Sequence, residues 1–128
     1  YQAYHDIQDP NAFNGLASYY CYKYGKEWLD GFTNTIYENY LYFKEEMKDY
    51  CDMPELEGSY LIFPDFSKSI KEANVAEVLE KECNILVNSG VSFSKDYGSY
   101  VRVNLATSLD NIKEAVSRIK TYIDERRA

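Results

Sequence analysis

Arginine is uncommon in the middle of a strand-like run. Arg102 lies in one, Tyr100-Val101-Arg102-Val103-Asn104-Leu105-Ala106. Alternation sends Val101, Val103 and Leu105 to one face and Arg102 and Asn104 to the other. A planar guanidinium on a rigid strand can grip a carboxylate through two parallel hydrogen bonds. The same pattern fits an arginine on the solvent face of an antiparallel sheet, and local spacing does not separate the two. Other reactive residues offer less. His5, the only histidine, sits near the start of the chain with no nucleophile motif around it, so a surface or packing role is expected. No glycine-rich phosphate loop occurs. The carboxylates of Glu45-Glu46 and of Glu80 and Glu82 fall on solvated helix faces, where nothing would desolvate one of them for acid–base work. Cys21, Cys51 and Cys83 are odd in number, far apart and form no CxxC pair. That argues against a disulfide framework or a zinc site and fits a reducing cytoplasm.

The elements that must position these residues follow from periodicity. Asp9-Pro10-Asn11 reads as a turn and helix start. The stretch from Ala12 to Tyr24 is apolar or aromatic on nearly every face, a helix that needs covering on several sides, and Gly25 stops it. From Lys26 to Tyr50, Leu29, Phe32, Ile36, Tyr40, Phe43, Met47 and Tyr50 recur at helical steps, predicting a helix of about seven turns. Pro54 blocks its continuation. Ser59-Tyr60-Leu61-Ile62-Phe63, bounded by Gly58 and Pro64, predicts a strand. Asn74 and Glu77 form a capping-box-like pair before a helix ending near Cys83. Ile85-Leu86-Val87 is a short strand, Asn88-Ser89-Gly90 a turn, and the Arg102 run a second full strand. Ser108 caps a last helix with Leu109, Ile112, Val116, Ile119 and Ile123 as its apolar stripe. The expected architecture is α+β, one domain over 1–128: a small, mostly antiparallel sheet of about three strands packed with helices and preceded by a long helix.

Composition sets the outer limits. The chain has 128 residues, 45% hydrophobic and 16% aromatic, enough to build a core and incompatible with a disordered tail. No apolar run reaches the roughly 18 residues that a membrane span needs. The net charge of −7 leaves no basic stripe for phosphates, which argues against nucleic-acid binding. The chain begins at Tyr1 and not at Met, so a piece of a longer protein is expected.

Several segments in series resemble the C-terminal part of class I/II aminotransferases, the fold-type I enzymes that use pyridoxal phosphate. Within these the likeness is greatest to the MalY/PatB-type cystathionine β-lyases, or C–S lyases. The matching residues are Asn11-Ala12-Phe13 with Asn14-Gly15, then Tyr24-Gly25-Lys26-Glu27-Trp28-Leu29-Asp30 and Glu57-Gly58-Ser59-Tyr60-Leu61 with Asp65-Phe66. Asn88-Ser89-Gly90 with Phe93 and Val101-Arg102-Val103-Asn104-Leu105-Ala106 complete the series. They keep the family's order and spacing from about Asn11 to Ile123.

The resemblance implies that Arg102 binds the α-carboxylate of an amino-acid substrate. It also implies that Asn104 either buttresses that site or only helps the strand, and that Tyr60 faces the active-site cleft or packs on the sheet. It implies a pyridoxal phosphate cofactor, whose ring takes up electrons from the substrate α-carbon, and either transamination or β-elimination of a thiol. In that family the cofactor is bonded to a lysine that follows Ser or Thr and precedes an aromatic and a glycine-rich segment. Ser67-Lys68 and Ser94-Lys95 are the only Ser-Lys pairs, and neither has that surround. The expected reading is therefore a small domain without its large cofactor-binding domain, contributing no catalytic, cofactor or metal residue of its own. Its partners would be that large domain and, in the intact enzyme, a second subunit. The competing reading is a free-standing α+β ligand-binding or regulatory module that holds an acidic metabolite on Arg102.

Overall fold

The computed structural model describes residues 11–127. His5 and most of the expected Asp9-Pro10-Asn11 turn lie outside them. Two compact units are present, Tyr1–Thr33 and Asn34–Ala128. In the first, α1 spans Ala12–Tyr24 and opens on Asn11, whose side chain accepts from the Asn14 N–H. Gly25 closes it through an N–H to the Cys21 carbonyl. A side chain at Gly25 would collide with that carbonyl, so glycine is needed for the close approach. No residue of α1 is buried. Phe13 and Tyr22 are 83% and 93% exposed, so the apolar helix that the sequence expects to need covering lies bare.

Helix α2, Lys26–Met47, begins in the first unit and ends in the second. Its stripe is buried only from Ile36 onward, through Tyr40, Phe43 and Met47, whereas Leu29 is exposed. The helix stops at Met47, earlier than the predicted Tyr50, in a tightened turn where the Tyr50 N–H bonds the Met47 carbonyl three residues back.

The second unit holds an antiparallel sheet of three short strands in the order β1-β3-β2, with β1 Leu61–Ile62, β2 Asn88–Ser89 and β3 Val101–Asn104. Helices α3, Val75–Cys83, and α4, Leu109–Arg127, complete it. Val75, Leu79 and Cys83 of α3 and Ile112, Val116, Ile119 and Ile123 of α4 are buried, together with Ile62, Phe66, Val101 and Leu105. The α3 residues recur at steps of four and those of α4 at steps of three and four, the spacing of one helix face. The α+β arrangement is as expected, but the strands are shorter than predicted.

Each strand boundary has a local cause. Ser59 sits in the left-handed region at φ 71, which breaks the extended run predicted to start there. The side-chain oxygen of Asn104 accepts from the Ala106 N–H at 2.8 Å, turning the chain and ending β3. The strand predicted at Ile85-Leu86-Val87 is displaced to Asn88–Ser89. After α3 the chain turns through left-handed Asn84 and comes alongside β3 only at Asn88, opposite Arg102. Leu86 is left 83% exposed. The predicted turn follows two residues later, as a 3₁₀ turn over Gly90–Ser92 capped by the Ser89 hydroxyl. Asn74 does precede α3, yet its side chain makes no capping bond. Its oxygen accepts from the Ser89 hydroxyl at 2.9 Å and its amide donates to Glu77. Ser108 caps α4 through its hydroxyl and the Asn111 N–H, as predicted.

Candidate functional site around Arg102

Arg102 is half-buried on β3, pointing to the side opposite the fully buried Val101 and Leu105. Its guanidinium borders an open groove of about 310 Å³ lined by Leu61, Ile62, Phe63, Phe93 and Arg102. Leu61 stands opposite Asn104 in the ladder, so Leu61 and Phe63 share the Arg102 side of the sheet. Phe63 in turn anchors an aromatic cluster. It packs edge-on against Phe93 and Tyr97 at 5.6 and 5.9 Å and stacks on Tyr100 at 5.2 Å. Such pairs hold ring positions as well as burying area. The groove is therefore apolar apart from one positive charge at its edge.

That charge has no anionic partner among the described residues. Arg102 donates from Nη2 to the Asn88 side-chain oxygen at 3.1 Å, and its Cζ lies 5.2 Å from the centre of the Phe93 ring. Its Nε is buried and meets no acceptor. The other arginines near acidic groups are engaged: Arg118 with Glu114 and Arg126 with Glu82. A half-buried guanidinium without a counter-charge is suited to an anion that arrives from outside, and a planar carboxylate matches its fork.

The structure brings only part of the predicted set together. Asn104 flanks Arg102 on the same face, but its side chain is exposed and spends its oxygen on the Ala106 N–H. Tyr60 is exposed, lies outside the groove lining and contributes its carbonyl to the Leu105 N–H at 2.8 Å. Two polar residues that matter were given no site role by the sequence: Asn88, which it placed only in the Asn88-Ser89-Gly90 stretch, and the fully buried Asn39. Asn39 donates to the carbonyls of Leu105 and Thr107 at 2.9 and 2.8 Å and so ties the end of β3 to α2. Neither carries a local signal, since their partners lie 14 and more than 60 residues away.

A pyridoxal phosphate site finds no fit among the described residues. Lys68 donates to the Lys48 carbonyl at 2.7 Å and to Asp52 at 2.8 Å, and Lys95 is exposed. No group of three or more His, Cys, Asp or Glu is gathered as a metal-ligand set among the described residues, and no helix there is long and apolar enough to cross a membrane.

No family model matches the chain. Among curated proteins it is 32% identical over 68 residues to a (5-formylfuran-3-yl)methyl phosphate transaminase of Methanocaldococcus jannaschii, covering 53% of this chain and 18% of that protein. Among solved structures it superposes on a C–S lyase of Staphylococcus hominis, bound to pyridoxal phosphate, with a TM-score of 0.83. There it shows 20% identity and covers 97% of this chain and 34% of that one. It superposes on cystalysin of Treponema denticola, which contains pyridoxal 5′-phosphate, with a TM-score of 0.82 and 25% identity, covering 90% of this chain and 30% of that one. The chain thus spans about a fifth of the curated relative and a third of the solved structures. With its short antiparallel sheet and its long leading helix, the chain has the fold of the matched parts of these C–S lyase structures, and its matched stretch is similar in sequence to that of the transaminase.

Proposed function

We propose that this chain is the C-terminal small domain of a longer pyridoxal-phosphate enzyme of the aminotransferase or C–S lyase kind. In this reading Arg102 binds the α-carboxylate of the amino-acid substrate, and the chain alone is inactive. The observation that carries it is the half-buried Arg102 guanidinium at the rim of an apolar groove, with no carboxylate partner among the described residues. By holding the carboxylate, Arg102 fixes the orientation of the substrate α-carbon, and the apolar walls keep competing water from the guanidinium. Asn104 supports the site indirectly, by stiffening the end of β3, and Tyr60, outside the groove, contributes through its backbone bond to Leu105. The cofactor belongs to the rest of the enzyme, since the lysines here do not suit it. The bare aromatic surface of α1 and early α2 is of a kind that single domains rarely leave uncovered. It fits a seat on the large domain and a homodimer partner, in a cytoplasmic enzyme.

The test uses the intact enzyme that carries this chain, comparing pyruvate release from cystathionine with amino transfer to 2-oxoglutarate. Two charge-assisted hydrogen bonds at about 1.5–3 kcal/mol each imply that Arg102→Ala raises KM by roughly 10²–10⁴-fold. An unchanged KM would remove Arg102 from the site. The isolated chain, mixed with pyridoxal phosphate and borohydride, is expected to form no stoichiometric adduct. A single labelled lysine would overturn the assignment of the cofactor to another domain.

A further inference from the structure

A strand fixes only the root of an arginine; the head of that long side chain needs its own restraints. For Arg102 there are two. Asn88 is its partner in the β2–β3 register, and residues directly opposite in an antiparallel ladder project to the same side. The Asn88 oxygen accepts from Nη2 at 3.1 Å, tethering one arm of the fork. The Phe93 ring, delivered by the 3₁₀ turn that follows β2, lies 5.2 Å from Cζ, within cation–π reach, and is the second restraint on the head. The buried Nε is closed to solvent on the inner side, so a ligand reaches the head and not the stem. The chemical type of Asn88 is informative. An aspartate there would orient the fork equally well but would also neutralise it. A neutral oxygen orients it and leaves the charge free.

We infer that Asn88 is the positioning residue of the Arg102 carboxylate clamp, a neutral acceptor that tethers one arm of the guanidinium without competing for its charge. This rests on the reading of Arg102 given under Proposed function. The experiment measures calorimetric affinity of the intact enzyme for 3-phenylpropionate, a carboxylate with an apolar tail, alongside the unfolding temperature. Loss of one orienting hydrogen bond in Asn88→Ala is expected to weaken binding by about 3–10-fold. Asn88→Asp keeps an acceptor opposite Arg102 and adds a favourable cross-strand charge pair, so its unfolding temperature should match or exceed the native value. Its affinity should nevertheless fall further than that of Asn88→Ala, by roughly 100-fold, because the guanidinium is already neutralised. A merely structural hydrogen bond predicts the reverse order, with Asn88→Asp binding like the native enzyme, and that result overturns the inference. Native-like affinity in Asn88→Ala overturns it as well. Arg102→Ala separates the two levels. If it abolishes binding while both Asn88 variants bind normally, only the role of Asn88 falls. If it binds normally, the reading of Arg102 falls and takes this inference with it.

Discussion

Replacing Asn39 tests how the Arg102 strand is held. Its amide donates to the Leu105 carbonyl at 2.9 Å and to the Thr107 carbonyl at 2.8 Å from a position with no solvent exposure. In Asn39→Leu both donors vanish while apolar volume is roughly kept. The Leu105 carbonyl still receives the Thr107 N–H at 2.9 Å, so its loss is partial. The part-buried Thr107 carbonyl loses its Asn39 donor. Against this, the buried Asn39 oxygen, which has no partner, disappears too. Two net hydrogen bonds at about 1 kcal/mol each, an unmet carbonyl at about 1–3 and the relieved orphan at about 1 leave a net destabilisation of roughly 2–4 kcal/mol. Asn39→Asp is harsher at neutral pH, because it buries a carboxylate facing two carbonyl oxygens, an uncompensated charge worth about 3–5 kcal/mol. That penalty should shrink as pH falls, since burial raises the pKa of the introduced carboxyl and its protonated form can donate once. Urea unfolding followed by circular dichroism, at neutral and acidic pH, reads all of this. The reasoning fails if Asn39→Leu costs less than about 0.5 kcal/mol, or if Asn39→Asp is the milder variant at neutral pH.

Further outcomes follow from other parts of the second unit and from the thiols. A Cβ at Gly98 would strike the Ala73 carbonyl oxygen just before α3, so Gly98→Ala should cost about 1–3 kcal/mol in urea unfolding, and a neutral result would mean the loop yields freely. Burial pushes the Asp65 carboxyl up, but hydrogen bonds from Ser99, Ser67 and Tyr100 together outweigh it and hold the group below its usual 3.8. Its contribution to stability is therefore present above pH 3.8 and lost as pH falls through the lower native value. Asp65→Asn should destabilise at neutral pH and flatten the acid limb of the urea midpoint, and equal losses at all pH values would refute this. Cys21 is exposed, whereas burial raises the Cys83 thiol and pushes that of Cys51 up to about 12. Titration with a thiol reagent in mild alkali should find one fast thiol in the native chain, Cys21, and the other two only after unfolding; three fast thiols would contradict the packing.

Helix α4 and the second half of α2 could be read directly from the chain, because steps of three and four among Ile112, Val116, Ile119 and Ile123, and among Ile36, Tyr40, Phe43 and Met47, bury one helix face whatever it packs on. The bare α1 was equally legible, since its apolar residues surround the helix on all sides. Arg102 was visible as an anomaly within an alternating run, and its likeness to a carboxylate-binding arginine came from neighbouring motifs in series. Strand extents were not legible. Two-residue strands such as Asn88–Ser89 exist only where β3 happens to run alongside, and the apolar Ile85-Leu86-Val87 was the stronger local candidate. The same holds for Asn88 and Asn39. An asparagine has no intrinsic preference that marks it as a positioning group or a buried tie, and hydrogen bonds between residues distant in sequence form only when folding sets donor against acceptor. Periodicity records which face of an element turns inward, while the identity of the neighbour waiting there is a property of the assembled fold.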